Sequence, residues 1–181
     1  MNVAIFGGSF NPPHASHVLA IAYVLATSDI DRLVVVPAFK HPFAKHLAPF
    51  EDRVRMCELA TEIFPSVEVS RIEKDLDGLT LHTLEAIQRE HPDWKMRLVM
   101  GADILLEADK WFRFDDVKKL APPIILGRAG VHGTSAPTPV LPEISSTRVR
   151  ELLAAKDWDA LEPLVPRAVI EHIRAKNLYA L

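Results

Sequence analysis

The chain has 181 residues, 49% of them apolar and 25% charged, with a formal net charge of −3. That length suits one domain with its own apolar core, and the acidic balance excludes the broad basic field that long nucleic acid needs. Cys57 is the only cysteine, which rules out an internal disulfide or a cysteine-rich zinc site and agrees with a reducing compartment. No basic leader opens the chain and no apolar run is long enough to span a bilayer, so the expectation is a cytoplasmic protein with no membrane partner.

In chain order, Asn2–Phe6 reads as a buried strand, Pro13–Thr27 as a helix and Leu33–Pro37 as a second strand. Phe50–Phe64 carries apolar residues at helical spacing, Val67–Ser70 is a short strand and Leu79–Arg89 a helix. Arg97–Met100 and Pro123–Leu126 complete the strands. Strands alternating with helices imply crossovers between parallel neighbours. The expected fold is therefore α/β, a Rossmann-like doubly wound parallel sheet of about five strands. Gly127–Pro142 has no period and reads as a loop. Ser145–Ala155, Asp157–Leu164 and Pro166–Lys176 read as helices, a small C-terminal helical region (about 145–181) within a single domain, 1–181.

An open parallel sheet binds ligands beyond the carboxyl ends of its strands, and the informative segments stand there. After the first strand comes Gly7-Gly8-Ser9-Phe10-Asn11-Pro12-Pro13-His14-Ala15-Ser16-His17. Its glycines let backbone approach a ligand and reach φ > 0. Asn11 is placed to cap a helix with Pro12 and Pro13 in the first turn, which would aim a positive helix end at an anion. His14 and His17 share one helical face and can donate to phosphate oxygens. As a zinc pair they lack an evident third ligand, and backbone-satisfied histidines are the plainer alternative. Near the end, Ser145-Ser146-Thr147-Arg148-Val149-Arg150 sets three hydroxyls at a helix start with guanidinium groups in the first turns, a phosphate cradle or an ordinary helix cap. Arg148 and Arg150, two apart, do not face one ligand together, and Arg150 is the candidate. Gly101-Ala102-Asp103 follows the fourth strand: Asp103 could hold ribose hydroxyls or cap a helix, and Trp111 could stack on a ring or pack in the core.

Taken in order, GGSFNPPHASH, GAD…W and ISSTRVR resemble the bacterial nicotinate-nucleotide adenylyltransferases, of the nucleotidyltransferase superfamily with an H-x-G-H-type motif. The resemblance covers nearly the whole chain. It implies transfer of AMP from ATP to nicotinate mononucleotide, giving nicotinate adenine dinucleotide and pyrophosphate, with Mg²⁺ bound through the ATP phosphates. It places His14, His17, Ser145, Ser146, Thr147 and Arg150 around those phosphates, and Gly7, Gly8, Ser9 and Phe10 along a shared floor. Gly101 and Asp103 go beside the adenosine. Trp111 goes near the pyridine ring, with Leu79–Thr83, including Thr80, His82 and Thr83, beside its carboxylate.

The chain departs from that pattern in several places. Asn11 stands where the family usually has Asp, and Ser16 where it has Gly. Lys40-His41-Pro42-Phe43-Ala44-Lys45 replaces Pro-Pro-His-Lys, making Lys45, then Lys40, the displaced phosphate contact. His82 replaces an acid, and Arg128-Ala129-Gly130 replaces Arg-Pro-Gly. The acceptor could instead be nicotinamide mononucleotide or another small phosphate such as phosphopantetheine, and a non-catalytic nucleotide sensor is the reading from another class. A homo-oligomer stays open.

Overall fold

A computed structural model describes residues 1–40, 47–102, 111–129 and 138–179. Strand β1 (Asn2–Gly8) is flanked by β2 (Arg32–Pro37) and β4 (Lys95–Gly101). Outside these lie β3 (Val67–Val69), β5 (Pro123–Arg128) and β6 (Pro139–Leu141). The order is β3-β2-β1-β4-β5-β6, with neighbouring strands parallel. The chain walks outward from β1 to β3, then returns to the other side of β1. That reversal opens a crevice between the carboxyl ends of β1 and β4, where the sequence places Gly7-Gly8 and Gly101.

Alternation along the strands distributes the core. Val3, Ile5, Val34, Val36, Leu98 and Met100 pack with Leu81, Leu84 and Ile87 of helix α3 (Thr80–Glu90). Ala4, Leu33, Val35 and Val99 point to the opposite face and pack with Ala20, Ile21 and Val24 of α1 (Ala15–Thr27). Cys57, on α2 (Phe50–Thr61), joins that second cluster. This period of two is what a pleated sheet covered on both faces requires.

A third cluster joins Met56 and Ala60 of α2 to the C-terminal helices through Val149, Leu152, Leu161, Val169 and Ile173. Those helices are α5 (Ser146–Ala155), α6 (Trp158–Leu161) and α7 (Arg167–Lys176). A His172 Nε2–Asp52 Oδ1 hydrogen bond of 3.0 Å also fastens α7 to α2.

Three elements differ from expectation. The segment read as a loop contains β6, which pairs with Gly127 and Arg128 across a register irregularity, and β5 runs on to Arg128, so the sheet has six strands among the described residues. Three residues between prolines show no period, which is why the sequence hid β6. Helix α4 (Phe114–Leu120) was not expected either; of its seven residues only Val117 is buried, too few to print an apolar stripe. Asn11 does not cap α1. Pro12 and Pro13 disfavour the helical region for the residues before them, and α1 begins only at Ala15, with His14 in extended backbone as its N-cap.

Leu161 is fully buried in the third cluster. Leu161→Ala should lower unfolding stability by about 2–5 kcal/mol, read as a shift of the urea midpoint with an unchanged slope. A loss under about 1 kcal/mol would mean this cluster is not close-packed.

Candidate active site

Two segments far apart in sequence meet at the carboxyl edge of the sheet. The Arg150 guanidinium donates from Nη1 to the Asn11 carbonyl at 2.8 Å and from Nη2 to Thr147 Oγ1 at 3.2 Å. The Ser146 hydroxyl donates to the Pro12 carbonyl at 2.9 Å, and Ser16 Oγ to the Pro142 carbonyl at 3.2 Å. The Ala15 N–H, at the start of α1, donates to the Leu164 carbonyl at 2.8 Å. The helix starts of α1 and α5 are thereby held beside one another, with their positive ends at the same edge.

Within the first segment the two imidazoles lie together, ring centroids 3.8 Å apart and tilted by 32°. His14 is buried, and its backbone N–H donates to His17 Nδ1 at 3.1 Å. That bond fixes Nδ1 as the acceptor, so a neutral His17 carries its proton on Nε2. The half-buried His17 ring also rests on Phe10, 5.0 Å between centroids. Phe10 takes the left-handed turn, φ 43°; Gly7 and Gly8 remain in β1 and are not the positive-φ residues expected. Their small size acts differently at each site. A Cβ on Gly8 would come within 3.2 Å of the Phe10 ring, whereas one on Gly7 would meet nothing within 4 Å. Gly7 thus leaves open space above an exposed backbone, and Gly8 lets Phe10 fold beneath it.

The hydroxyl cluster divides its tasks. Ser145 is the N-cap of α5 and accepts from the Arg148 N–H, the ordinary-cap alternative for that residue. Arg148 turns outward to Glu151 at 3.4 Å, while Arg150 turns inward. Gly101 ends β4 across the crevice. Lys45 and Asp103 lie outside the described residues.

The remaining expected residues gather around α3. Thr83 is buried and its hydroxyl donates to the buried Glu73 carboxylate, whose pKa is raised chiefly by burial. Thr80 opens α3. His82 Nδ1 lies 2.7 Å from Asp77 Oδ2, and its ring meets Phe112 edge-on at 5.6 Å. Trp111 is half-buried, edge-on to Phe114 at 5.7 Å and packed against the α3-side core. Lys40 is exposed, and its carbonyl sits 3.4 Å from where a Cβ on Gly78 would project; Gly78, φ 86°, has a true need for glycine. This group therefore meets the segment after β2 rather than the histidines.

Sequence reasoning missed Arg53. It is 1% exposed, and its guanidinium donates to the carbonyls of Ala48 at 3.0 Å, Ser9 at 2.8 Å and Ala38 at 2.7 Å. Burial lowers its pKa, opposed by Tyr179 and Cys57, yet a guanidinium stays charged at neutral pH. One fork thus ties the loops after β1 and β2 to the entry of α2. The signal was present: Arg53 stands in phase with Met56, Cys57 and Ala60, the buried side of α2. A charge in phase with an apolar stripe marks a buried, fully hydrogen-bonded role.

A doubly wound sheet whose switch point carries a strand ending in two glycines, paired imidazoles and a guanidinium has the design of a nucleotide-handling α/β enzyme. Comparison with known proteins gives the same class. Residues 5–152 match the cytidylyltransferase-like family model. The probable nicotinate-nucleotide adenylyltransferase of Anaeromyxobacter dehalogenans (strain 2CP-C) is 44% identical over 98% of this chain and 96% of its own. The relative of the same name from Myxococcus xanthus is 40% identical over 100% and 96%. A Plasmodium falciparum nicotinic acid mononucleotide adenylyltransferase complexed with NaAD superposes with a TM-score of 0.84 over 98% of this chain and 97% of that one; at 19% identity it speaks to the fold. The chain belongs to the nicotinate-nucleotide adenylyltransferases of the cytidylyltransferase-like family.

Arg53→Met should strand three part-buried carbonyls and destabilise the protein by about 2–5 kcal/mol, on the scale of 1–3 kcal/mol per lost partner, measured by urea unfolding. An unchanged midpoint would show that those carbonyls find other donors.

Proposed function

We propose that this chain transfers AMP from ATP to nicotinate mononucleotide, forming nicotinate adenine dinucleotide and releasing pyrophosphate. One observation supports the assignment of roles: Arg150 and Ser146 bond directly to the loop that bears His14 and His17, which favours reading the two motifs as parts of one ligand site. The names of relatives covered over nearly their whole length support the acceptor and fit a cytoplasmic biosynthetic enzyme; among the described residues no helix is long and apolar enough to cross a membrane. Bonds from the C-terminal segment to the first loop favour reading 1–181 as one nucleotidyltransferase domain.

The chemistry asks little covalent work of the protein. A phosphate oxygen of the mononucleotide attacks the α-phosphorus of ATP, a new P–O bond forms, and the bond to the β-phosphate bridging oxygen breaks in line. The nucleophile is already anionic, so no general base is required. Rate comes from alignment and from stabilising the charge that moves onto pyrophosphate. His17 Nε2–H, the remaining N–H groups of the Arg150 guanidinium, the Thr147 hydroxyl and the amides of Ser146 and Thr147 at the start of α5 are donors suited to those oxygens, while the Ser146 hydroxyl, given to the Pro12 carbonyl, holds α5 beside the loop. Ser145 serves through its cap, holding the start of α5. Lys45, then Lys40, is assigned a further phosphate contact. The backbone from Gly7 to Phe10 forms the floor. Gly101 and Asp103 are assigned to the adenosine side, and Trp111, Thr80, His82 and Thr83 to the acceptor. Trp111 acts there from a position packed on the core, through an exposed face or its backbone.

Mg²⁺ would enter with ATP, held by phosphate oxygens and water. The groups around the Asn11–Arg150 contact are imidazoles, hydroxyls and guanidinium, which suit the phosphates rather than the ion. No group of three His, Cys, Asp or Glu able to hold a metal occurs among the described residues. When bound, the ion would neutralise phosphate charge.

His17→Ala should lower kcat by ~10²-fold or more with the fold intact, the loss usual for one oxyanion-type donor; activity within a few-fold of the parent would remove His17 from that role. The function itself is tested by pyrophosphate release from ATP with a panel of acceptors. Release with nicotinate mononucleotide, far above that with nicotinamide mononucleotide or phosphopantetheine, is expected. Preference for either other acceptor would replace the substrate assignment, and ATP binding without release would make the protein a sensor.

A further inference from the structure

The tail after α7 returns to the nucleotide loop. Asn177 ends the helix in a left-handed conformation, φ 50°, with the Leu178 N–H bonded to the Ile173 carbonyl at 3.0 Å. Tyr179 follows, also left-handed at φ 62°, a conformation that persists for a non-glycine residue only where its surroundings hold it. Its ring packs against the third cluster, and its hydroxyl donates to Asn11 Oδ1 at 2.9 Å.

Asn11 is the meeting point. It is 2% exposed, and Oδ1 also accepts the Ala48 N–H at 3.0 Å, while its backbone carbonyl takes Arg150. Two donors on one amide oxygen fill both lone pairs and fix the side-chain plane. The same residue therefore sets where the Arg150 anchor lies and where Pro12–His14 begins. Removing one of the two donors frees the amide to turn and the carbonyl to shift with it.

We propose that Tyr179 is a positioning residue for the ATP-phosphate site, holding Asn11, and through it Arg150, in place for the nucleotide. This rests on the functional reading above and adds to it a part for the C-terminal tail. Burial pushes the phenol pKa up, so the hydroxyl stays a donor across the working pH range. The bonds run from Tyr179 through Asn11 to Arg150, a residue assigned to the ATP phosphates, so the effect should fall on ATP.

Tyr179→Phe removes the hydroxyl and keeps the ring. In the full-length protein it should raise both the KM for ATP and the Kd of a non-hydrolysable ATP analogue by about fivefold, the net worth of one hydrogen bond. The acceptor KM should stay within twofold. Because Tyr179 acts through Asn11, the substitution should add nothing further in an Asn11→Ala background. An unchanged ATP KM, an equal rise for both substrates, or full additivity with Asn11→Ala would overturn the proposal, as would a Tyr179→Phe protein that fails to fold. If Asn11→Ala itself does not fold, the split between the two KM values decides. Analogue binding also separates the two levels: a parent protein that binds ATP yet releases no pyrophosphate sinks the enzymatic reading, while an active parent with an indifferent Tyr179→Phe sinks only this inference.

Discussion

The structure depends on one closure, the bonding of residues from 142 onward to the loop spanning 11–16. Arg150, Ser146 and Tyr179 donate into that loop, while Ala15 and Ser16 donate out of it to the Leu164 and Pro142 carbonyls. No single one of these neutral or charge-assisted bonds is worth more than a few kcal/mol. Together they convert two motifs more than a hundred residues apart into one edge-on surface of donors. Without the closure the α5 motif would be an ordinary capped helix, with Ser145 bonded to the Arg148 N–H.

The sheet explains why the closure falls where it does. Its strand order reverses at β1 and β4, which leaves a crevice that no crossover covers. Arg53 supports the floor of that crevice from inside, because only a group with several donors in a rigid fork can satisfy carbonyls from three segments at once. The C-terminal helices wall it on the α2 side through their own apolar cluster. Stability and site geometry are thus joined at α2, which contributes to that cluster and carries Arg53.

Much of this was legible in the residues. Strands β1 to β5 and helices α1 to α3 were visible as apolar runs or helical stripes, though β3 is only half-buried, and the order of motifs put the candidate residues after the strands. Helical phase alone said that Arg148 and Arg150 do not readily face one ligand together, and the two side chains do take different partners, Glu151 and Asn11. What stayed hidden has physical causes. Three-residue β6 is defined by a partner strand rather than by its own pattern. The capping rule misses Asn11 because the helix starts only at Ala15, past both prolines, and because the Asn11 side chain answers to Ala48 and Tyr179. Tyr179 carries no local signal, since its meaning lies entirely in a contact 168 residues away in sequence.

The central claim is that one triphosphate is held jointly by the histidine loop and the α5 motif. NMR titration of the protein with a non-hydrolysable ATP analogue tests it most directly, following the imidazole signals of His14 and His17 and the Nε–H of Arg150 in the same samples. The account predicts that all three move together and saturate with a single Kd. Imidazole signals that saturate while Arg150 stays fixed, or two separate dissociation constants, would contradict it.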